Sequence, residues 1–136
     1  MAKVPLISVV DDDESVRESL DGLFRSVGFA VKVFVSAEEF LNSDHHGDID
    51  CLLLDVRLPG MNGIELHRHL VADHCEIPVI FITAHGSEQG VRSQALKNGA
   101  VDYLIKPLSE DTILNAVQKA LSTERHTQGQ PQLKDP

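Results

Sequence analysis

The sequence predicts an α/β protein: a doubly wound parallel sheet of five strands with helices on both faces. Three observations predict it. Five short apolar runs lack the alternation of a half-exposed strand, so each suits a strand buried on both sides. Apolar residues at helical spacing lie between them, the alternation that gives a parallel sheet joined by right-handed crossovers. Two of the runs stop abruptly at aspartates, Asp11 and Asp55, as strands do when they end at the mouth of a sheet.

Taken in order, Leu6 to Val10 is the first strand, and it stops at Asp11-Asp12-Asp13-Glu14. Val16, Leu20, Leu23, Phe24 and Val27 follow at helical spacing, and Gly28 suits the C-cap. The acids ahead of this helix suit the positive end of its dipole. Ala30 to Val35 is the second strand. Ser36-Ala37-Glu38-Glu39 reads as a capping box, with Ser36 at the N-cap and Glu39 three residues on, opening a short helix to about Leu41. The polar stretch Asn42 to Asp50 reads as a loop.

Cys51 to Asp55 is the third strand. Leu58-Pro59-Gly60 turns the chain, and Asn62-Gly63 leads into a helix carrying Ile64, Leu66, Leu70 and Val71. Pro78 opens the fourth strand, Val79 to Thr83, which gives way to Ala84-His85-Gly86. The next helix carries Val91, Ala95 and Leu96 and ends at Asn98-Gly99. Val101 to Ile105 is the fifth strand, followed by Lys106-Pro107. Ser109 caps a last helix through Ile113, Leu114, Val117 and Leu121. From Ser122 the chain turns polar and loses its apolar period, as a tail or linker does. Residues 1–121 therefore read as one domain and 122–136 as a flexible tail or the start of an interdomain linker. The expected strand order is 2-1-3-4-5, the flavodoxin-like (βα)5 arrangement, with its switch point between strands one and three.

Composition narrows the function. A chain of 136 residues with 42% hydrophobic and 24% charged content suits a soluble domain with its own core. The net charge of -9 argues against this segment gripping nucleic-acid phosphates by itself, and it allows a cation site. Cys51 and Cys75 fit no metal spacing and no disulfide framework, which points to reduced thiols and a cytoplasmic compartment. No apolar run approaches the ~20 residues of a membrane span, and the N-terminus lacks a signal-peptide core.

In a parallel sheet all carboxyl ends share one edge. That edge collects Asp11, Asp12 and Asp13 from strand one, Asp55 from strand three, Thr83 from strand four and Lys106 from strand five. Carboxylates gathered in one cleft repel one another unless a proton or a cation intervenes. Hard oxygen donors favour Mg²⁺, which recruits one or two carboxylates and a phosphate. A carboxylate can attack phosphorus to give an aspartyl phosphate, and it needs no base because it is already ionised at neutral pH. Lys106 and Thr83 supply a charge and a hydroxyl for the phosphoryl oxygens. Each residue alone has a plainer reading: a helix cap, a turn residue, a strand terminus, an exposed lysine. Their convergence on one edge favours phosphoryl transfer.

Four segments carry a family resemblance: Val9-Val10-Asp11-Asp12-Asp13, Leu53 to Gly63, Pro78 to Gly86, and Gly99 to Pro107. Over residues 6 to about 121 the chain resembles the receiver domain of two-component response regulators. The resemblance implies a regulatory phosphoacceptor rather than an enzyme, taking a phosphoryl group from a sensor histidine kinase on Asp55. It implies Asp12 as the direct acidic Mg²⁺ ligand, Asp11 acting mainly through water, and Asp55 and the backbone carbonyl of Arg57 completing the protein's ligands. On the same resemblance Mn²⁺ would substitute. Thr83 would reach the phosphoryl oxygen with the loop from Ala84, Tyr103 would turn inward behind it, and Lys106 would pair with the phosphoryl group. The Lys106-Pro107 bond is expected to be cis, as such bonds usually are in the family. The phosphate would then shift the face built from the fourth helix, fifth strand and fifth helix, with homodimerisation as one readout.

Ser36 to Leu41 and Thr83 to Gly86 resemble receivers joined to a LuxR-type helix-turn-helix domain, which regulate transcription through that domain. The expectation is a receiver belonging to a longer transcription factor, with a stand-alone receiver as the alternative. DNA contact would come only through the attached domain.

Arg57 and His85 border the site and could affect how water reaches an aspartyl phosphate; a surface role is the plainer reading for His85. His67 and His69 face different sides of a helix and make a poor metal pair. Glu38 and Glu39 read as cap residues. A haloacid-dehalogenase-type phosphatase wants a second Asp two residues after the nucleophile, where this chain has Arg57. A flavin carrier on the same fold wants a Ser/Thr/Gly-rich loop where this chain has Asp11 to Glu14.

Overall fold

The computed structural model describes residues 4–44, 46–84 and 89–122. Five strands, β1 (Leu6–Val10), β2 (Ala30–Phe34), β3 (Cys51–Asp55), β4 (Val79–Thr83) and β5 (Asp102–Ile105), form one sheet. All pairings are parallel and the order is β2-β1-β3-β4-β5. Helices α1 (Glu14–Ser26), α2 (Ala37–Leu41), α3 (Gly63–Ala72), α4 (Gln89–Lys97) and α5 (Glu110–Ser122) connect and cover it. The architecture is the flavodoxin-like one expected. No helix among the described residues is long and apolar enough to cross a membrane.

The pleat divides the central strands between two cores. Leu52, Leu54 and Phe81 point into one with Phe40, Leu66, Leu70 and Ala95 from α2, α3 and α4. Cys51, Leu53, Ile80 and Ile82 point into the other with Leu20, Phe24, Ile113 and Val117 from α1 and α5. Burial on both faces is why β3 and β4 read as unbroken apolar runs. The outer strand β2 is different: Val33 stays 42% exposed on it.

The element ends follow local chemistry. Asp13, the last acid of the run, caps α1 by accepting from the Ser15 N–H at 2.9 Å. Gly28 has φ +97°, and the next residue, Phe29, donates back to the Phe24 carbonyl at 3.0 Å, closing that helix. At α2 the expected box is displaced. Ser36 Oγ accepts from the Glu39 N–H, but Glu39 Oε1 accepts from the Val35 N–H rather than from that of the cap residue itself. Val35 is thereby taken up by the cap, and β2 stops at Phe34. The complete box is at α3, where Asn62 Oδ1 accepts from Glu65 N and Glu65 Oε1 accepts from Asn62 N, each at 2.9 Å. Ser109 Oγ accepts from the Thr112 N–H at 3.1 Å at the start of α5. The loop after α2 contains a 3₁₀ turn, His46–Asp48. Strand β5 begins at Asp102 rather than Val101. The polar tail, from residue 123 onward, lies outside the described residues, as do His45, His85 and Gly86.

The hydroxyl of Ser8, inside the sheet, has no hydrogen-bond partner among the described residues. Ser8 is fully buried in β1, flanked in register by Lys32 and Leu52. A desolvated hydroxyl without a partner is destabilising. Ser8→Ala is therefore expected to raise unfolding stability by about 1 kcal/mol in urea titrations; a loss of that size would show that the hydroxyl is satisfied in solution.

Candidate functional site

The sheet order places β1 beside β3, so the two strands that end in acids are neighbours. Asp11 and Asp55 converge although 44 positions apart in the chain, and Lys106 reaches them from the end of β5. Its Nζ donates to Asp11 Oδ2 at 2.9 Å and lies 3.6 Å from Asp55 Oδ2. Asp11 is fully buried and Asp55 is 5% exposed, while Asp12 faces solvent. One carboxylate oxygen from each of Asp11, Asp12 and Asp55 lies within 4.8 Å of the others. Asp13, grouped with them in the sequence, is turned away to cap α1.

The two buried acids are each held by a backbone N–H. Asp11 Oδ1 accepts from the Asp13 N–H at 2.9 Å, and Asp55 Oδ1 from the Arg57 N–H at 3.2 Å. Arg17, near the start of α1, donates from its guanidinium to the Asp11 carbonyl oxygen at 2.8 Å. It fixes the acid turn from the first coils of α1. Nothing in its spacing announces this, because the contact depends on the angle at which α1 leaves β1.

Electrostatics follow from the crowding. Burial pushes the Asp55 carboxyl up, the Asp11 charge adds to it, and Lys106 and the Arg57 N–H only partly offset them, giving a pKa of about 6. Burial alone would lower Lys106. The hydrogen bond it donates to Asp11 and the charges of Asp55, Asp11 and Asp13 outweigh it and hold the ammonium above its ordinary value.

The loop from β3 to α3 is closed at its base. Gly63 donates to the Val56 carbonyl at 3.0 Å, and a Cβ at Gly63 would collide with the backbone carbonyl of Asp55. The turn after the nucleophile candidate therefore needs a glycine for space, a requirement Asn62-Gly63 did not reveal. Arg57 is exposed beside the acids.

Thr83 ends β4 one residue beyond Ile82, the register partner of Asp55, and is fully buried. Its carbonyl accepts from the Lys106 N–H at 2.7 Å, which ties the lysine's backbone to the same edge. Ala84 is exposed. Tyr103 is 4% exposed, with its ring 6.2 Å from that of Phe81. In this conformation it belongs to the same core cluster as Phe81. Lys106-Pro107 is cis. His67 is buried edge-on against Phe81 at 5.4 Å, whereas His69 is exposed. Burial lowers the His67 pKa, which keeps the ring neutral in the core.

A parallel five-stranded sheet with an acid cluster and a lysine at its β1/β3 switch point defines a class: α/β proteins whose chemistry sits beyond the strand ends. Within that class, the chain belongs to the response regulator receiver domain family, whose model matches residues 7–118. Nodulation protein W of Bradyrhizobium diazoefficiens is 45% identical over 120 residues, covering 88% of this chain and 52% of that protein. Response regulator protein TodT of Pseudomonas putida is 41% identical over 119 residues, again 88% of this chain and 52% of that protein. The chain thus spans about half the length of these curated relatives. Among solved structures, response regulator StyR superposes with a TM-score of 0.85 at 42% identity, covering 93% of this chain and 64% of that one. FixJ-N superposes with a TM-score of 0.79 at 38% identity, covering 90% and 98%. Receiver domains are regulatory modules of two-component systems, interact with histidine kinases and bind Mg²⁺ at an acidic pocket.

The donor set here fits such a cation. Three carboxylates share one pocket, two of them buried, and the ammonium of Lys106 offsets only part of their charge. The same excess charge predicts a stability effect. Above pH 6 the folded protein holds an ionised Asp55 that it disfavours; the unfolded chain ionises it at its ordinary value of 3.8. As pH falls through 6 the folded state takes up the proton and the penalty shrinks, vanishing below about 4. Asp55→Asn is therefore expected to stabilise the metal-free protein by roughly 2 kcal/mol at pH 7.5, with the gain lost by pH 4. Urea unfolding in chelator at both pH values checks it.

Proposed function

We propose that the chain accepts a phosphoryl group from a sensor histidine kinase on Asp55 and uses it to switch an output surface. In the full protein that surface would regulate transcription through a DNA-binding domain. The observation that carries this reading is the position of Lys106 Nζ, 2.9 Å from Asp11 and 3.6 Å from Asp55. A cation so placed can hold phosphoryl oxygens next to a carboxylate that is ionised at neutral pH. Transcriptional regulatory protein FixJ of Bradyrhizobium diazoefficiens, among the relatives, supports the transcriptional role.

An Asp55 carboxylate oxygen attacks phosphorus of the phosphohistidine. The new P–O bond forms as the P–N bond breaks, and the imidazole leaves with its electron pair and takes a proton from solvent. Asp12, Asp55 and the Arg57 carbonyl would hold Mg²⁺, with Asp11 acting mainly through water; bound there, the ion offsets charge on the phosphoryl oxygens. Lys106 moves its donation from Asp11 toward the phosphoryl group. Thr83 donates its hydroxyl to a phosphoryl oxygen, and the segment from Ala84 follows. Tyr103, whose ring lies 6.2 Å from that of Phe81, follows into the space behind Thr83. The face formed by α4, β5 and α5 then changes its partner preference, with a homodimer as one outcome. Residues 1–121 act as the receiver unit and the tail as the link to the output domain.

Intact mass after incubation with acetyl phosphate and Mg²⁺ tests the reading. Wild type should gain one phosphoryl group and Asp55→Asn none. Asp12→Ala should require at least ~10-fold more Mg²⁺ for the same extent of reaction. No mass gain in wild type, or equal gain in Asp55→Asn, removes Asp55 from the role.

A further inference from the structure

Glu38 does not behave as a cap residue. The side chain that closes the N-terminus of α2 is Glu39, and Glu38 reaches across 23 residues of sequence to the loop between β3 and α3. Its Oε2 accepts from the Met61 N–H at 2.8 Å. Gly60 permits this: its φ of +72° turns the chain, and a Cβ there would sit 2.7 Å from Glu38 Oε2. The glycine thus serves both the turn and the approach of a carboxylate from another element. The Met61 N–H, and after it Glu38's own N–H, hold the carboxyl below its ordinary range, so it is a charged acceptor at neutral pH.

The bond completes a set. Three consecutive N–H groups, on Met61, Asn62 and Gly63, are taken by acceptors on three different elements: Glu38 of α2, Glu65 of α3 and the Val56 carbonyl after β3. Glu65 and Val56 belong to the β3–α3 unit itself. Glu38 is the tie that comes from outside it. The segment so pinned begins at Arg57, whose N–H holds Asp55 Oδ1 and whose carbonyl is the proposed backbone ligand.

We propose that Glu38 is a positioning residue of the acidic site: by holding Met61 it fixes the β3–α3 loop, and with it the Arg57 segment against Asp55. The inference rests on the metal assignment made above. Glu38 is not one of the three clustered acids and acts through the loop. Helix α2 becomes part of the support of the site.

Glu38→Ala and Glu38→Gln separate the possibilities, because glutamine keeps an acceptor oxygen and loses the charge. The readouts are amide hydrogen exchange at Met61 in the metal-free protein, Mg²⁺ affinity by calorimetry, and melting temperature. In Glu38→Ala, Met61 exchange should accelerate at least ~10-fold and Mg²⁺ affinity fall ~10-fold, with the melting temperature nearly unchanged. Glu38→Gln should restore most of both. Lost Met61 protection with unchanged Mg²⁺ affinity would make Glu38 a structural tether only and overturn the proposal. Unchanged protection would show that the bond is absent in solution. Equal losses in both variants would assign the effect to charge rather than to the hydrogen bond, also against it. If wild type itself binds no Mg²⁺, the metal assignment fails and carries this inference with it.

Discussion

The structure depends on one arrangement of charge: the ammonium of Lys106 set between the carboxylates of Asp11 and Asp55. A fully buried Asp11 is tolerable only with such a partner and with the Asp13 N–H on its other oxygen. The partner arrives from 95 residues away, so the contact requires the whole sheet to be assembled in its 2-1-3-4-5 order. The topology that brings β1 beside β3 is therefore also what creates the excess of negative charge. Fold and chemistry share a single constraint.

The platform beneath is stiff because both faces of β3 and β4 are sealed. Leu52 and Leu54 enter one core and Leu53 the other, so a shift of Asp55 along its strand would unpack both. Beyond the strand ends, the acid turn and the β3–α3 loop are each tied individually. Arg17 holds the acid turn, Gly63 lies against the Asp55 carbonyl, and Glu38 holds the tip of the β3–α3 loop. Charge that lowers stability is concentrated at the edge, and apolar packing beneath it supplies the compensation.

Much of this was legible in the sequence. The apolar runs ended where the strands end to within a residue, because burial on both faces leaves an unmistakable run and an abrupt stop. Asp11, Asp12, Asp55, Thr83 and Lys106 were identifiable because parallel strands place all their carboxyl ends together, so position along a strand translates into position in space. What could not be read are contacts set by side chains across separate elements. Glu38 looked like one of two cap acids; only the approach of α2 to the β3–α3 loop distinguishes it from Glu39. Arg17 had the spacing of an ordinary surface residue. Gly63 looked like a helix entry, and its close packing on Asp55 depends on loop geometry with no sequence period. Tyr103 was recognised, but its packing against Phe81 depends on cross-strand register, which strand assignment alone does not give.

The central claim is that this edge forms an acyl phosphate at one particular carboxylate. Borohydride reduction of the phosphorylated protein, followed by peptide mapping, locates that bond directly, since an acyl phosphate is reduced to the alcohol and a free carboxylate is not. The account predicts homoserine at position 55 and aspartate at positions 11 and 12. Homoserine at position 11 or 12, or none in a protein that has gained phosphoryl mass, would contradict it.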